Sequence, residues 1–531
     1  MKAQLVPDVL MAAVEQYPAR TAIVMGERVV TYAEFDAMAT KVARSLVRYG
    51  VRPGDRVALW MPKSIEAIAA IWGIMRAGAA YVPLDATAPV ARIAGIICDC
   101  AASGLITSAR NLAMLTPILA DENPLRGVWL PEATASELQC AAPLITADEL
   151  ESEDAQSFSV ALKPGSLANI QYTSGSTGAP KGVMVPHHAL LEQMNWTQNV
   201  FHLTPDDRLS GHTPLHSAMA SFDIFMSVLA GAALYPVPPA LALFPREVAK
   251  LWSAEKLSVW FVVPSVLSMM IDQGGFDGND FSSLRIVGFG GERATYDRIR
   301  EIANRLPHVR LFTNYSCTEA KIRILRELPR PFEEIDLRRI GPISGAFELF
   351  VLDDDDRPVG PGEVGKLWIV GSVLMLGYWG RPEETARALR EVEPEPGRKV
   401  KGYCTGDLVR RLEDGGLELV GRADQQIKIR GNRVEPSEIE AALTRRPEVQ
   451  EALVFPQQDA KLGLRVVAVV VAKDDASIDQ AILRRHCAEL LPAYMVPAAI
   501  YVRSAIPRLS NGKVDRRAAL IDIEDVQTDA T

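Results

Sequence analysis

Tyr172-Thr-Ser-Gly-Ser-Thr-Gly-Ala-Pro-Lys-Gly182 directly follows the apolar run Leu167–Ile170 in this 531-residue chain, which predicts a loop that leaves a β-strand. Its three glycines allow backbone N–H groups to turn toward an anion. Hydroxyl and ammonium side chains add donors, so the loop suits a polyphosphate, although it does not fit the common P-loop pattern. The alternative is a flexible linker, but linkers rarely run into a strand pattern such as Val183–Val185. The candidate nucleotide-binding residues of this loop are Thr173, Ser174, Gly175, Ser176, Thr177, Gly178 and Lys181.

Composition argues against several classes of function. The formal net charge is −9, which disfavours nucleic acid or an anionic membrane as the main partner. The N-terminal residues lack the pattern of a signal peptide, and no run of about 18 apolar residues occurs. The six cysteines are scattered and lack the spacing of a metal site. We therefore expect a soluble, cytoplasmic protein with reduced thiols.

Apolar runs of strand length alternate with helical patterns over most of the chain, for example Arg56–Trp60 before Ser64–Arg76. This alternation is typical of parallel sheets with crossover helices. A second domain is expected to begin near Gly421, and a shift in charge balance there is consistent with that boundary. We predict an N-terminal core domain of residues 1–421 and a C-terminal domain of residues 422–531.

Further motifs lie on both sides of the phosphate loop. In chain order they are Thr31–Phe35, Arg76–Asp85, Asn314–Glu319, Tyr403–Leu408, Gly421–Gly431, Leu491–Pro497 and Asn511–Asp515. The whole series resembles that of the adenylate-forming superfamily, which contains nonribosomal-peptide adenylation domains, acyl-CoA synthetases and luciferases. It is more similar to peptide-synthetase adenylation domains than to CoA ligases. In one motif Ser316-Cys317 replaces the usual Gly-Pro, which leaves Tyr315, Thr318 and Glu319 in register.

The resemblance implies an α/β fold. A large N-terminal AMP-binding core domain would contain two parallel-rich layered sheets and a small β-barrel-like subdomain, followed by a small, mobile α+β lid domain. It also implies ATP and Mg²⁺ as cofactors. The substrate carboxylate would attack the α-phosphate of ATP, release pyrophosphate and leave an acyl-adenylate, whose acyl group then passes to a thiol. Because charge builds on phosphate oxygens, catalysis would depend mainly on positioning and electrostatic neutralisation.

The resemblance implies catalytic roles for four residues. Glu319 would hold Mg²⁺ through carboxylate oxygens, with Thr318 beside it. Lys513 would bridge the substrate carboxylate and the α-phosphate, rather than being a surface lysine. Asp424 occupies the position at which family members rotate the small domain after adenylation, although a solvated aspartate is the alternative there.

The nucleotide would also contact residues outside the phosphate loop. Asp407 would accept hydrogen bonds from both ribose hydroxyls, and Arg422 would reach the ribose or a phosphate. The complete set of these candidates is Gly291, Glu292, Asn314, Tyr315, Asp407 and Arg422.

The substrate pocket differs from the family pattern. An aspartate usually pairs there with the α-ammonium, about five residues before a segment that corresponds here to Phe222–Gly231, and Ala218 occupies that position. Plain α-amino acids are therefore disfavoured, because their ammonium would lack a counter-charge. Asp223 lies about one helical turn further along and could meet a displaced ammonium. This resembles stand-alone enzymes that load β-amino acids onto carrier proteins in macrolactam polyketide antibiotic pathways. A structural role for Asp223, or a one-turn error in the alignment, would each remove that interpretation.

Arg323 lies at a pocket position that is commonly small or apolar in the family. It could pair with a second carboxylate on the substrate, as in an aspartate-like β-amino acid such as 3-methylaspartate. Alternatively, it could turn toward solvent or the nucleotide. The remaining candidate pocket residues are Met219, Phe222, Phe261, Gly288, Gly290 and Ile322.

The acyl acceptor is expected to act in trans. No carrier-domain Gly-Gly-x-Ser motif follows Arg516, so a separate acyl or peptidyl carrier protein is favoured over free coenzyme A. A D-alanine-type carrier-protein ligase is a further alternative, but it would need an α-ammonium anchor. A non-catalytic nucleotide-binding module is disfavoured because Lys513, Glu319 and Asp407 are all present.

Overall fold

The computed structural model describes residues 3–115, 125–133, 140–158, 160–175, 178–332, 335–342, 347–459, 463–473, 476–508, 514–516 and 518–519. The chain forms two compact units. The first contains the chain up to Ala86, Ile96–Tyr172 and Gly182–Asp424. The second contains Thr87–Gly95, Thr173–Lys181 and the chain from Gln425 onward. The domain boundary drawn from the sequence, between residues 421 and 422, stays a prediction.

The helices of the described chain are α1 (Val6–Gln16), α2 (Tyr32–Arg48), α3 (Ile65–Arg76), α4 (Val90–Asp99), α5 (Ala109–Leu115), α6 (Ala147–Glu151), α7 (His187–Phe201), α8 (Ala220–Ala230), α9 (Pro245–Ala254), α10 (Pro264–Asp272), α11 (Tyr296–Arg305), α12 (Pro382–Ala388), α13 (Pro436–Thr444) and α14 (Gln480–Leu490), with a short 3₁₀ turn at Ala493–Met495. None of the helices described is long and apolar enough to cross a membrane.

The strands of the described chain are β1 (Thr21–Met25), β2 (Arg28–Thr31), β3 (Arg56–Trp60), β4 (Ala80–Pro83), β5 (Gly104–Thr107), β6 (Val128–Leu130), β7 (Leu144–Thr146), β8 (Leu167–Thr173), β9 (Lys181–Pro186), β10 (Arg208–Gly211), β11 (Ala233–Pro236), β12 (Val259–Val262), β13 (Ile286–Gly290), β14 (Arg310–Cys317), β15 (Ile322–Glu327), β16 (Arg339–Ile340), β17 (Phe347–Leu352), β18 (Val364–Gly371), β19 (Gly377–Tyr378), β20 (Leu389–Glu395), β21 (Arg398–Arg411), β22 (Leu417–Arg422), β23 (Ile427–Ile429), β24 (Asn432–Val434), β25 (Val449–Asp459), β26 (Gly463–Ala472) and β27 (Ile500–Arg503).

The first unit contains two large sheets and a smaller one. Among the described strands, one large sheet has the order β15-β14-β13-β12-β10-β11-β1-β2 and is parallel except for its antiparallel edges. The other has the order β19-β9-β8-β4-β3-β5-β6-β7, with parallel pairing along β4, β3, β5, β6 and β7. The smaller sheet, β16-β22-β21-β18-β17 with β20 beside β21, is antiparallel. The predicted α/β class with layered, parallel-rich sheets is confirmed.

Helix α3 shows how the apolar sequence builds this unit. Ser64 caps the helix by accepting a hydrogen bond from the Ala67 N–H, and every helical residue except Glu66 is buried. α3 packs against α2, where a Cβ on Gly73 would lie 2.7 Å from the Ala39 carbonyl oxygen. The glycine therefore permits a helix approach that alanine would prevent.

The second unit has its own apolar core. Strands β25, β26 and β27 form one sheet, and β23 pairs with β24. Buried apolar side chains of α13 and α14, including Leu443 and Leu483, pack in the same cluster as Val454 and Val470 of the sheet. This α+β composition is the one expected for a small C-terminal domain. All eight tryptophans of the sequence, in contrast, fall within the ranges of the first unit.

Candidate active site

Asp407 lies at the centre of a hydrogen-bonded cluster in the first unit. β21 carries Asp407 directly opposite Arg422 on β22. The Tyr315 hydroxyl donates to Asp407 Oδ2 at 2.5 Å, and an Arg422 N–H donates to Oδ1 at 2.6 Å. Burial, followed by the Asp407 charge, raises the pKa of Tyr315 well above its usual value, so the phenol keeps its proton. Each carboxylate oxygen retains further acceptor capacity, which suits ribose hydroxyls.

Asp424 belongs to the same cluster. Arg422 donates from Nε to Asp424 Oδ1 at 2.6 Å and from a terminal nitrogen to Oδ2 at 2.7 Å. One guanidinium therefore connects Asp407 with Asp424. The Asp424 side chain is 46% exposed as well as paired with Arg422, and its role at the hinge stays a prediction.

Asn314 and its neighbours provide features that suit an adenine ring. The Asn314 side-chain oxygen is buried and has no hydrogen-bond partner among the described residues. A Cβ on Gly290 would lie 2.8 Å from the Asn314 Cβ, so only glycine fits beside this side chain. Gly291 has a φ of +85°, and Glu292 accepts a hydrogen bond from the Ser265 N–H at 2.6 Å. An orphaned acceptor in a glycine-lined position fits the exocyclic amine of adenine.

Glu319 is the candidate Mg²⁺ ligand, and it is only 1% exposed. The Tyr378 hydroxyl donates to Glu319 Oε1 at 3.1 Å, and the Cys317 thiol donates to Oε2 at 3.5 Å. Thr318 precedes it directly in the chain. A buried carboxylate held from both sides offers the hard oxygen ligands that Mg²⁺ prefers. The sequence did not indicate Tyr378, because it belongs to none of the motifs and lies 59 residues away along the chain.

The phosphate loop has a constrained backbone within the second unit. Ser174 donates to the Arg433 carbonyl at 2.9 Å, and a Cβ on Gly175 would overlap the Ala179 carbonyl oxygen. Gly178 has a φ of +82°. Thr173 Oγ1 is buried and without a partner in the described part of the chain, which leaves a donor for an anion.

Three of the predicted site residues belong to segments that the structure does not describe. Ser176, Thr177 and Lys513 lie outside the described residues. Lys181, at the end of the same loop, is 8% exposed.

Asp223 is the charged residue of the candidate substrate pocket. It lies in the first turn of α8 and is 2% exposed. Its Oδ2 accepts a hydrogen bond from the Thr213 N–H at 3.3 Å, whereas Oδ1 has no partner among the described residues. Burial raises the pKa of Asp223, and the charges of Lys63 and Arg323 oppose that increase. The carboxylate is therefore half-satisfied, with one oxygen left for a donor.

Arg323 is buried next to the same helix. It is 3% exposed, which excludes the alternative in which it turns toward solvent. Its guanidinium lies 5.2 Å from the Phe222 ring centroid and 4.9 Å from that of Phe261, and donates weakly to Ser221 Oγ at 3.4 Å. Its Nε has no partner in the described structure. Burial lowers the pKa of Arg323 to about 9, and Asp223 opposes this effect.

Two aromatic rings stack among the candidate pocket residues. Phe222 and Phe261 stack with centroids 4.3 Å apart and an interplanar angle of 20°. Gly288 lies opposite Phe261 in the parallel register of β12 and β13, where any Cβ would overlap the ring. Met219 and Ile322 are buried in the same apolar core.

Ala218 is half-buried in the turn before α8 and carries no charge. Its carbonyl accepts a hydrogen bond from Ser221 Oγ at 2.8 Å. Gln193 accepts a hydrogen bond from the same hydroxyl at 3.0 Å and donates to the Lys321 carbonyl at 3.1 Å. Ser221 and Gln193, which the motif pattern does not indicate, thus connect α7 and α8 to the strand that carries Arg323.

The fold, the Asp407 cluster and the buried Glu319 define an adenylate-forming enzyme. Residues 10–379 match the AMP-binding enzyme family, and residues 438–513 match the AMP-binding enzyme C-terminal domain. The chain therefore belongs to the AMP-binding enzyme family, and it is an adenylate-forming ligase that uses ATP with Mg²⁺.

Relatives align over nearly the whole chain. An L-proline:L-prolyl-carrier-protein ligase of Pseudomonas fluorescens is 31% identical, covering 98% of this chain and 100% of that ligase. A ligase of the same description from Streptomyces coelicolor is 35% identical, covering 96% of this chain and 94% of that ligase. The structure of amide bond synthetase McbA from Marinactinospora thermotolerans superposes with a TM-score of 0.84 at 25% identity, covering 97% and 99% of the two chains.

Proposed function

We propose that this enzyme adenylates a β-amino acid, specifically an aspartate-like one such as 3-methylaspartate. It then transfers the acyl group to the phosphopantetheine thiol of a separate carrier protein. The observation that carries the proposal is the half-satisfied carboxylate of Asp223, buried one helical turn beyond the uncharged Ala218.

The location of the negative charge favours a displaced amine. A substrate ammonium in a dry pocket requires a counter-charge, and Ala218 supplies none at the position where an α-ammonium would lie. Asp223 Oδ1 offers a buried acceptor further along the chain. An amine on the β carbon lies one bond further from the reacting carboxylate than an α-amine. The geometry therefore supports a β-amino acid over an α-amino acid.

Arg323 supports a second carboxylate on the substrate. Among the described residues, no carboxylate lies within the 4.0 Å ion-pair distance of its guanidinium, although Asp223 interacts with it at longer range. A buried guanidinium without a close anion is costly, and a bidentate carboxylate would compensate that cost. An aspartate-like acid would present one carboxylate to ATP, its ammonium to Asp223 and its second carboxylate to Arg323.

The residues around the nucleotide would contribute positioning and charge. Asp407, held by Tyr315 and Arg422, would fix the ribose and thereby orient the α-phosphate. Glu319 would supply oxygen ligands to Mg²⁺, which neutralises phosphate charge when bound. Lys513 is proposed, on its motif, to neutralise the carboxylate and α-phosphate together. The ion pairs of Arg422 with Asp407 and Asp424 would connect the ribose site to the proposed hinge.

The carrier protein is favoured as the acceptor by the relatives. Two of them, each aligned over at least 94% of its own length, are described as carrier-protein ligases. Mass spectrometry of a phosphopantetheinylated carrier protein, incubated with enzyme, ATP and substrate, should show the acyl adduct. Free coenzyme A offered in parallel should be acylated much more slowly; preferential acylation of coenzyme A would instead establish an acyl-CoA ligase.

The substrate is tested by acid-dependent exchange of pyrophosphate into ATP. The panel contains α-amino acids, β-alanine, 3-aminobutyrate, β-phenylalanine, aspartate, 3-methylaspartate and aryl acids. We expect exchange with β-amino acids and the highest kcat/KM with aspartate-like members. Exchange with α-amino acids that carry no amine β to a carboxylate would mean that the ammonium anchor is not Asp223. Equal exchange with acids that carry no amine would assign a structural role to Asp223.

A further inference from the structure

Lys63 is a charged residue that the motif series leaves without a role. It lies in the segment between β3 and α3, and its side chain is partly buried. Its ammonium donates a hydrogen bond to the Gly211 carbonyl, at the carboxyl end of β10. No carboxylate of the described residues lies within 4.0 Å of it. The contact therefore fixes the ammonium at one point of the first unit.

The Gly211 contact places Lys63 beside the substrate anchor. Two residues after Gly211, the Thr213 N–H donates to Asp223. The ammonium and the carboxylate are thus both attached to one three-residue segment, and each acts electrostatically on the other. Carboxylate Oδ1 nevertheless stays unpartnered in the described structure, so the cation does not occupy the position left for a ligand.

The other charged and titratable groups around this pair are few among the described residues. The charge of Arg323, on β15, opposes the increase in the pKa of Asp223. His212 lies between Gly211 and Thr213, and burial together with the Lys63 charge lowers its pKa to about 4. It is therefore neutral at physiological pH. Asp223 is the anion of this group, and Lys63 and Arg323 are its cations.

We propose that Lys63 is a positioning residue that keeps the Asp223 carboxylate ionised before the substrate binds, so that it can pair with a substrate ammonium. The inference rests on the proposed function, in which Asp223 is the ammonium anchor. A buried carboxylate alone tends to take up a proton, and a protonated carboxyl group cannot pair with an ammonium. Arg323 cannot replace Lys63 in this role once a second carboxylate of the substrate engages it.

The titration behaviour of the pair agrees with this geometry. Burial raises the pKa of Asp223, and the Lys63 charge is the strongest influence opposing the increase. Burial lowers the pKa of Lys63, and the Asp223 charge opposes that decrease. Each group therefore stabilises the ionised form of the other. Removal of the ammonium should raise the pKa of Asp223 further.

The test measures kcat/KM for 3-methylaspartate in pyrophosphate exchange from pH 6 to 9. Lys63→Met removes the charge, and Lys63→Gln removes it while keeping a hydrogen-bond donor. In both variants, the acidic limb of the pH profile of kcat/KM should move to higher pH by about one unit or more. The value of kcat/KM at pH 6.5 should fall about tenfold and should recover near pH 9. Lys63→Arg, which restores a cation, should retain the wild-type limb. The substrate amine stays protonated over this range, as amines with a pKa near 10 do.

Calorimetric binding of AMP to each variant provides the control for folding. An unchanged acidic limb in both neutral variants, or a loss equal at every pH, would overturn the role of Lys63. Asp223→Asn separates the two proposals. If Asp223→Asn leaves the preference for amine-bearing acids intact, the ammonium anchor itself is wrong. If that preference is lost while the Lys63 variants keep the wild-type limb, the anchor stands and the Lys63 proposal fails.

Discussion

In the proposed function, the position of one charge selects the substrate, because Asp223 carries a carboxylate and Ala218 does not. Asp223→Asn keeps the size of the side chain but removes its charge. We expect kcat/KM for a β-amino acid to fall about 100-fold or more, because loss of one partner of a buried charge pair costs about 2–5 kcal/mol. AMP binding, measured by calorimetry, should not change. Asp297→Asn, at a carboxylate that is 86% exposed, is the matched control. Retained activity of Asp223→Asn would assign a structural role to this residue.

Arg323 offers a test that separates two substrates. Arg323→Met replaces the guanidinium with an apolar side chain of similar length beside the stacked rings of Phe222 and Phe261. We expect kcat/KM for 3-methylaspartate to fall about 30-fold or more, the equivalent of about 2 kcal/mol. The value for 3-aminobutyrate, which lacks the second carboxylate, should change less than about threefold. An equal loss for both acids would show that Arg323 supports the pocket without contacting the substrate.

At the scale of residues, the motifs indicated side chains that the structure brings together, but they did not indicate the charged residues around Asp223. Tyr315, Asp407 and Arg422 belong to recognisable segments, and the structure brings all three together. Lys63 lies 160 residues from Asp223 in the chain and belongs to none of those segments. Its proximity depends on the packing of a loop after β3 near the end of β10, two strands that belong to different sheets. No local pattern contains that information.

At the scale of elements, the packing between β12 and β13 supports the pocket. Gly288→Ala would drive a methyl group into Phe261, which already stacks on Phe222. We expect the free energy of unfolding to fall by about 1–3 kcal/mol and kcat/KM to decrease, because overpacking displaces the rings. Thermal unfolding and pyrophosphate exchange measure the two effects. Gly165→Ala, where an added Cβ meets nothing within 4 Å, should leave both values nearly unchanged. If Gly288→Ala changes neither the free energy of unfolding nor kcat/KM, the stacked rings can move aside without measurable cost.

Elements with strong periodicity were the most predictable. β3 occupies Arg56–Trp60 as expected, and α3 begins one residue after the predicted Ser64, because that serine is its cap. The local signals for these elements are complete within a few residues. The order of strands in each sheet, in contrast, depends on contacts between distant segments, so the sequence analysis did not predict it.

At the scale of the whole molecule, buried histidine should make stability depend on pH. His187, at the start of α7, accepts a hydrogen bond from the Val6 N–H at 3.3 Å, and burial lowers its pKa to about 4. The unfolded chain binds a proton below about pH 6.5, whereas the folded chain does not until about pH 4. Stability therefore falls as the pH falls through this window.

His187→Gln should remove that contribution. Between pH 7.5 and pH 5, we expect the wild type to lose about 2 kcal/mol through this residue, and the variant to lose correspondingly less. Urea unfolding at the two pH values measures the difference. His188→Gln, at the less buried neighbour, is the matched control for loss of an imidazole. If the free energy of unfolding of His187→Gln changes with pH as much as that of the wild type, His187 binds a proton equally in the folded and unfolded states.

The distribution of tryptophan gives this enzyme an optical asymmetry. All eight indoles belong to the first unit, and the second unit contributes tyrosine, including Tyr494 and Tyr501, but no tryptophan. Intrinsic emission excited at long ultraviolet wavelengths therefore reports the first unit alone. Far-ultraviolet circular dichroism reports both units, so a mismatch between the two unfolding curves would measure the independence of the second unit. A single tryptophan introduced at Tyr494 would convert that silent unit into a fluorescent one.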